Sequence, residues 1–181
     1  AFAAKPGNIE KLRRVIEQGG RTILVIGAPG YIDPTNGNRS IERVSRLLEL
    51  PLRDNMAIGR WDKLFNKQGE CLCPTTYMPC PRFELKEEGC LRFAEGFYAG
   101  TERSLVRGGR LIWCGTAPLS RNLLDKWMTE AGAHRYAPMG FTVNASKQVV
   151  SVTAPTGGPE EVELDFGRPV KMIDMMDGFT G

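Results

Sequence analysis

The spacing of apolar residues near the start of the chain predicts a helix followed by a strand. Asn8 is placed to cap a helix over Ile9–Gln18, whose apolar side chains share one face and which Gly19 ends. The run Thr22–Ile26 that follows is β-branched and aliphatic throughout. Because it is apolar on both faces, it is typical of a strand in the middle of a parallel sheet covered by helices.

A second amphipathic segment completes an α/β opening. Ser40 is a favourable N-cap for a helix over Ile41–Leu50, and Pro51 ends it. The order helix, strand, loop, helix indicates the α/β fold class. Residues 51–90 are rich in turn residues, and there we predict an irregular loop followed by a short strand near 83–86.

From Cys90 onward the pattern predicts three strands and a third helix. The strands are Leu91–Ala94, Tyr98–Val106 and Arg110–Gly115. Ser120 caps a helix that runs to Ala131 and that Gly132 ends.

After this helix the chain is predicted to be all β. The expected strands cover 134–137, 140–145, 148–154, 160–166 and 169–176, where Met172, Met175 and Met176 are read as core filler. The change of pattern divides the chain into an α/β domain, 1–133, and a small antiparallel β-module, 134–181.

The amino-acid composition excludes some classes of function. The chain has 181 residues, is 41% hydrophobic and carries a formal net charge of +3, which is the balance of a globular protein. Basic residues are not concentrated, so we expect no nucleic-acid partner. No apolar stretch is long enough to predict a membrane span. No signal peptide is visible, which favours a cytoplasmic location. The chain begins without methionine, which is compatible with its being a piece of a longer protein.

Cys114 and His134 are the candidates for nucleophilic catalysis. Cys114 follows a predicted buried strand, where a nucleophile on a strand-to-helix elbow would lie, and His134 is the single histidine of the chain. The elbow pattern Gly-x-Cys-x-Gly is absent, however, since Ile112 stands two positions before the cysteine. The favoured interpretation is a buried thiol in the core and a packed, hydrogen-bonded histidine.

Four more cysteines fall within twenty positions. Their spacing does not match the paired C-x(2–4)-C hairpins of a structural zinc site, so reduced thiols are favoured over a disulfide or a metal site; they are Cys71, Cys73, Cys80 and Cys90. We expect no cofactor.

Three stretches together resemble a known domain. They are Ile26-Gly27-Ala28-Pro29-Gly30-Tyr31-Ile32-Asp33 with the helix after it, then Leu91–Gly96 leading through Gly108–Leu119, then Ala131-Gly132-Ala133-His134-Arg135-Tyr136. Their order is similar to the glutamine-amidotransferase-like, β-galactosidase-trimerisation-type domain that follows the catalytic barrel in family 42 glycoside hydrolases and their relatives. The tail resembles the small β-module that ends such proteins.

The resemblance implies a flavodoxin-like, class I glutamine-amidotransferase-like sheet with flanking helices, and an accessory function. The catalytic carboxylates of such enzymes lie on a (β/α)8 barrel, for which this chain has no room. The implied partners are that barrel in the same parent protein, a carbohydrate substrate and further copies of the chain. Tyr31, Asp33 and Trp61 are where sugar contact is expected, because an aromatic face beside a carboxylate is a common carbohydrate surface.

Three functions therefore remain open. The leading one is a non-catalytic region of a glycoside hydrolase that shapes oligomer contacts or walls the active-site cleft. The second is an independent amidotransferase-like hydrolase that uses Cys114. The third is a stand-alone carbohydrate-binding or oligomerisation module.

Overall fold

A computed structural model describes residues 3–146, 149–158 and 161–170 of the chain. The chain divides into two compact units, Ala1–Trp127 and Met128–Gly181, and the predicted division at 133 stays a prediction. The helices are α1 (Pro6–Gln18), α2 (Ile41–Leu48) and α3 (Arg121–Glu130). None of the helices in the described ranges is long and apolar enough to cross a membrane.

Ten strands complete the described secondary structure. They are β1 (Arg21–Ile26), β2 (Leu52–Asn55), β3 (Arg60–Phe65), β4 (Cys71–Met78), β5 (Arg82–Leu85), β6 (Leu91–Phe93), β7 (Tyr98–Ser104), β8 (Gly109–Cys114), β9 (Thr142–Ala145) and β10 (Val150–Thr153).

The first unit is built on a mixed six-stranded sheet with the order β1-β8-β7-β6-β3-β4. Only β1 and β8 are parallel, and every other neighbouring pair in this sheet is antiparallel. A doubly wound, flavodoxin-like sheet is mostly parallel. Strands and flanking helices are both observed, as predicted, but as a mixed sheet with few helices, and the strand directions do not support the flavodoxin-like assignment.

The sheet curls until its far end meets the segment that follows β8. The Tyr77 backbone N–H on β4 donates to the Ala117 carbonyl at 3.0 Å, and the buried hydroxyls of Thr76 and Thr116 hydrogen-bond at 3.0 Å across the same contact. Strands β8, β7, β6, β3 and β4 thus close on themselves. One core cluster draws residues from all five of these strands and from α3; its members include Leu64, Met78, Phe93, Ala99, Ile112 and Trp127.

A second core lies on the opposite face of β1 and β8. There α1, α2 and the antiparallel pair β2–β5 pack on the sheet. Trp113 and Phe83, both 0% exposed, are its largest fully buried side chains. Two layers of apolar packing therefore enclose β8, which fits the apolar run Leu111–Cys114 in its second half.

The position of β1 differs from the prediction. It pairs only with β8 among the described strands and so lies at an edge of the sheet. Ile23 and Val25 are buried, whereas Leu24 and Ile26 are 37% and 41% exposed. The run is apolar on both faces, but no element in the described part of the chain covers the second face.

The helix ends were predicted with mixed success. Helix α1 begins at Pro6, and its N-cap residue, Lys5, makes no side-chain hydrogen bond, so the predicted Asn8 cap is wrong. Proline suits the first helical position because its missing N–H is not needed there.

For helix α2 the predicted Ser40 cap is confirmed, since the Ser40 hydroxyl accepts from the Arg43 backbone N–H. Helix α2 ends two residues before the predicted Leu50, at Leu48.

The predicted loop at 51–82 is wrong, since β2, β3 and β4 lie within it. Two features hid these strands. The pairing of β3 with β4 shifts register twice, between Asp62 and Phe65, which breaks the two-residue alternation. Pro74 also lies inside β4, which is tolerated because β4 is the last strand of the sheet.

The second unit contains one antiparallel hairpin, β9–β10, in its described residues. No strand is formed at 134–137, nor in the described part, 161–166, of the strand predicted at 160–166. Instead His134 Nε2 hydrogen-bonds the Asp165 carbonyl at 2.8 Å, and the Asp165 N–H donates to the Tyr136 carbonyl. Most of the strand predicted at 169–176, with its three methionines, lies outside the described residues.

Candidate functional site

A cleft opens where the parallel strands β1 and β8 end. It has a volume of about 320 Å³ and is lined by Ile26, Gly27, Tyr77, Pro79, Gly115, Thr116 and Ala117. This volume is at the lower end of the roughly 300–1,000 Å³ typical of small-molecule sites. The carboxyl ends of parallel strands are the usual position for ligands in α/β sheets. The lining contains no charged side chain.

Two glycines allow the backbone to form the floor of the cleft. Gly27 has a φ of 78°, in the left-handed region that glycine adopts at little cost, and its carbonyl accepts from Trp113 Nε1 at 2.8 Å. At Gly115, an added Cβ would lie 2.6 Å from the Phe83 carbonyl. The floor is therefore fixed directly to the second core.

An exposed aromatic pair stands at the cleft. Trp61 on β3 and Tyr77 on β4 face each other across the strand pair, with ring centroids 5.5 Å apart in an edge-to-face arrangement. Trp61 is 62% exposed and Tyr77 is 41% exposed. A Cβ on Gly59 would come within 2.4 Å of the Tyr77 hydroxyl, so the glycine leaves room for that ring.

Tyr31 does not belong to this surface. It is 3% exposed, its ring packs edge-on against Phe83, and its hydroxyl donates to Asp54 Oδ2 at 2.5 Å. Burial, followed by the bond to the Asp54 carboxylate, raises the pKa of Tyr31 to about 12. A ring held in this way offers no open face to a sugar.

Asp33 lies in the exposed turn after Tyr31. Its carboxylate accepts from both the hydroxyl and the backbone N–H of Thr35, and Arg43 Nη1 lies 3.8 Å from it. The Thr35 hydroxyl, then its backbone N–H, lowers the pKa of Asp33 below its ordinary value. The carboxylate thus holds the turn. Of the three predicted sugar-contact residues, Trp61 is the one that contacts a residue of the cleft lining, Tyr77.

Cys114 lacks the properties of an activated nucleophile. It is 0% exposed, and burial raises the pKa of its thiol to about 12. The thiolate is the reactive form of cysteine, so at neutral pH this side chain is an inert, protonated thiol. His134 lies in the second unit, where its ring meets Tyr136 edge-on at 4.9 Å.

The other four cysteines are also free thiols. Cys71 and Cys80 are exposed, Cys90 is partly buried, and Cys73 is buried with its thiol directed at the Thr75 carbonyl. Among the described residues, no group of three or more His, Cys, Asp or Glu side chains is arranged to hold a metal ion. The alternative metal site at these cysteines thus has no structural support.

Thiol labelling should follow this order of burial. We expect iodoacetamide to modify Cys71 and Cys80 in the folded chain and to reach Cys73 and Cys114 only after unfolding, because their thiols are buried. Peptide mapping by mass spectrometry, with and without denaturant, measures this. Labelling of Cys114 first, in the folded chain, would instead indicate an activated nucleophile.

Two sets of residues near the cleft were not predicted from the sequence. Tyr77 was missed because its partner Trp61 is placed beside it only by the pairing of β3 with β4. A network of ion pairs was missed because charged residues in a sequence are normally expected to face solvent. It consists of Arg53, Arg60, Arg82, Glu84 and Glu95. A strand with the alternation of Arg82-Phe83-Glu84-Leu85 was the one available signal.

Comparison with known proteins gives a likeness of fold. No protein-family model and no curated protein sequence matches the chain. Among solved structures, a catalytic mutant of Gan42B, a GH42 β-galactosidase from G. stearothermophilus, superposes with a TM-score of 0.56 at 13% identity over 99% of this chain. A second structure of Gan42B gives 0.52 at 13% identity over 85% of this chain.

The β-galactosidase from the psychrophilic Marinomonas ef1 gives a TM-score of 0.51 at 16% identity over 83% of this chain. The aligned region is 28% of the first enzyme's chain and 23% of each of the others. The chain therefore has the fold of one region of GH42 β-galactosidases and spans about a quarter of their length.

Proposed function

We propose that this chain is a non-catalytic, accessory region of a GH42-type glycoside hydrolase whose catalytic barrel lies outside these residues. The observation that carries the proposal is the pattern of coverage. One β-galactosidase matches 99% of this chain, yet the match uses 28% of that enzyme. A (β/α)8 barrel typically takes about 250 residues, so a match of this extent favours a region outside the barrel.

The chemistry of the cleft agrees with this function. Glycoside hydrolysis generally needs two carboxyl groups that flank the scissile bond, either roughly 5–5.5 Å or 6.5–9.5 Å apart. The cleft lining has none. The nearby Glu84 is fully buried and paired with two arginines, and Cys114 is a buried thiol. The cleft can thus form a wall or a contact surface for a reaction that other residues perform.

The proposal also covers the domain boundaries of the chain and its partners. Residues 1–133 form the glutamine-amidotransferase-like domain and 134–181 the β-module, with the likeness confined to fold because fold alone does not carry chemistry. The parallel pair β1–β8 and the order α1, β1, α2 support this likeness. The partners are the catalytic barrel of the parent protein, further copies of the chain and a carbohydrate substrate.

A hydrolysis assay on the purified chain tests the proposal. We expect no release of p-nitrophenol from p-nitrophenyl β-galactoside above the buffer rate, because the residues that line the cleft carry no carboxylate. The Cys114→Ser variant serves as a control and should be equally inactive. Turnover that co-elutes with the chain and exceeds the buffer rate would contradict the proposal, and its loss in Cys114→Ser would favour the independent hydrolase.

A further inference from the structure

We propose that the cleft and Trp61 together form a binding site for a neutral saccharide, which this region holds without cleaving it. The proposal rests on the proposed function for its ligand class and on the geometry of β3, β4 and β8 for its location. The residues that carry it are Trp61 and Tyr77, with Ile26 and Ala117 beside them.

Charge favours a neutral ligand. The residues that line the cleft carry no ionisable group except the Tyr77 phenol. The charged side chains near the same ends of β3 and β5 are held in ion pairs: Arg60 pairs with Glu95, and Arg82 pairs with Glu84 and Glu95. A carboxylate or phosphate entering the cleft would lose hydration and gain no cation there.

The aromatic pair favours a ring with an apolar face. Tyr77 contacts Trp61 edge-to-face and leaves much of the indole open, at 62% exposure. A pyranose can place its C–H face on such a ring while its hydroxyls stay in water, so the site needs few hydrogen-bonding groups. The cleft supplies a second apolar surface from Ile26 and Ala117 for the neighbouring residue of a disaccharide.

Tyr77 is also held in place by hydrogen bonds and close packing. The hydroxyl of Thr116 donates to the Tyr77 carbonyl, the Tyr77 N–H donates to Ala117, and Gly59 lies against the phenol. Because these contacts hold Tyr77 and the β3–β4 pairing places Trp61 beside it, binding requires little ordering of the protein.

Titration with lactose tests the site. We expect lactose to change the fluorescence of the folded chain in a saturable way, because Trp61 is the exposed tryptophan whereas Trp113 and Trp127 are buried. Lactobionate, in which the galactosyl unit is kept but the glucose unit of lactose is opened and oxidised to a gluconate carboxylate, should bind more weakly. Isothermal calorimetry measures the same equilibria independently of fluorescence.

Three variants give the controls. Trp61→Ala should weaken lactose binding about tenfold or more, which corresponds to about 1.4 kcal/mol. Trp61→Phe should retain a substantial part of the affinity, and Val106→Ala, a change at a 99% exposed apolar residue on the β7–β8 turn, should leave it unchanged. Circular dichroism verifies that each variant is folded.

The outcomes separate this inference from the proposed function. Absence of calorimetric binding by the folded chain, or binding that Trp61→Ala leaves intact, would overturn the saccharide site whatever the hydrolysis assay gives. Binding of p-nitrophenol without lactose would overturn it as well, in favour of an apolar ligand. Trp61-dependent lactose binding by a chain that also hydrolyses galactosides would uphold the site and refute the accessory function.

Discussion

Replacement of Trp113 by alanine should lower the free energy of unfolding by about 3–5 kcal/mol. Trp113 is 0% exposed in the centre of the core between the sheet and the helices α1 and α2. Its removal leaves a large cavity and also leaves the Gly27 carbonyl without the indole N–H that now donates to it at 2.8 Å. Urea denaturation followed by far-UV circular dichroism measures the change.

The matched control for this variant is Trp61→Ala, which removes the same side chain from a 62% exposed position. We expect it to change the free energy of unfolding by less than about 0.5 kcal/mol, as is usual for surface substitutions. Equal losses for the two variants would contradict the assignment of Trp113 to the core and of Trp61 to the surface.

Replacement of Glu84 by alanine should be comparably destabilising, by about 3–5 kcal/mol. The Glu84 carboxylate is 0% exposed and accepts from Arg53 Nε at 2.7 Å and from Arg82 Nε. Arg82 is itself 4% exposed and packs over the Phe97 ring at 3.9 Å. The variant leaves this guanidinium buried with only Glu95 as an ionic partner, which is why the cost exceeds that of losing a surface pair.

Glu88→Ala is the matched control for the charge network. Glu88 forms an ion pair with Lys67 at 2.9 Å, but both side chains are more than half exposed, so we expect no measurable change in stability. Thermal unfolding of both variants under the same conditions makes the comparison. Unchanged stability in Glu84→Ala would mean that the buried network does not hold β5 on the sheet.

Elements with a clear local signal were predictable from the sequence. Helix α2 was found because its apolar residues repeat with helical spacing and Ser40 caps it. Strands β7 and β8 were found because the turn residues Arg107 and Gly108 separate them and because β8 contains the apolar run Leu111–Cys114. In each case the information lies within about ten neighbouring residues, where periodicity and capping act.

Features that depend on distant partners were not predictable in the same way. A strand was predicted near 83–86, where β5 lies, but the burial of its charged side was not. Arg82 and Glu84 alternate with Phe83 and Leu85, a pattern that normally indicates one solvent-facing side. In the structure all four residues are buried, because Arg82 and Glu84 form an ion pair with each other and further ion pairs with Glu95 and Arg53. Pairing of this kind arises only after the chain has folded.

The residues of the candidate site also divide into those that local sequence indicates and those that contacts with distant residues place. Trp61 was selected correctly as an exposed aromatic residue, although its sugar contact stays a prediction. Tyr31 was selected on the same grounds, but Asp54 and Phe83 draw its ring into the core. Tyr77 was missed, since its place at the cleft depends on the closure of β4 against Ala117, forty positions later in the chain.

Sequencing the transcript that encodes these 181 residues tests the central claim most directly. The account predicts an open reading frame that continues in frame beyond them and encodes a (β/α)8 barrel with two carboxylates at the carboxyl ends of its strands. A reading frame that encodes these residues and no barrel would contradict it, and the chain would then have to act as a module in its own right.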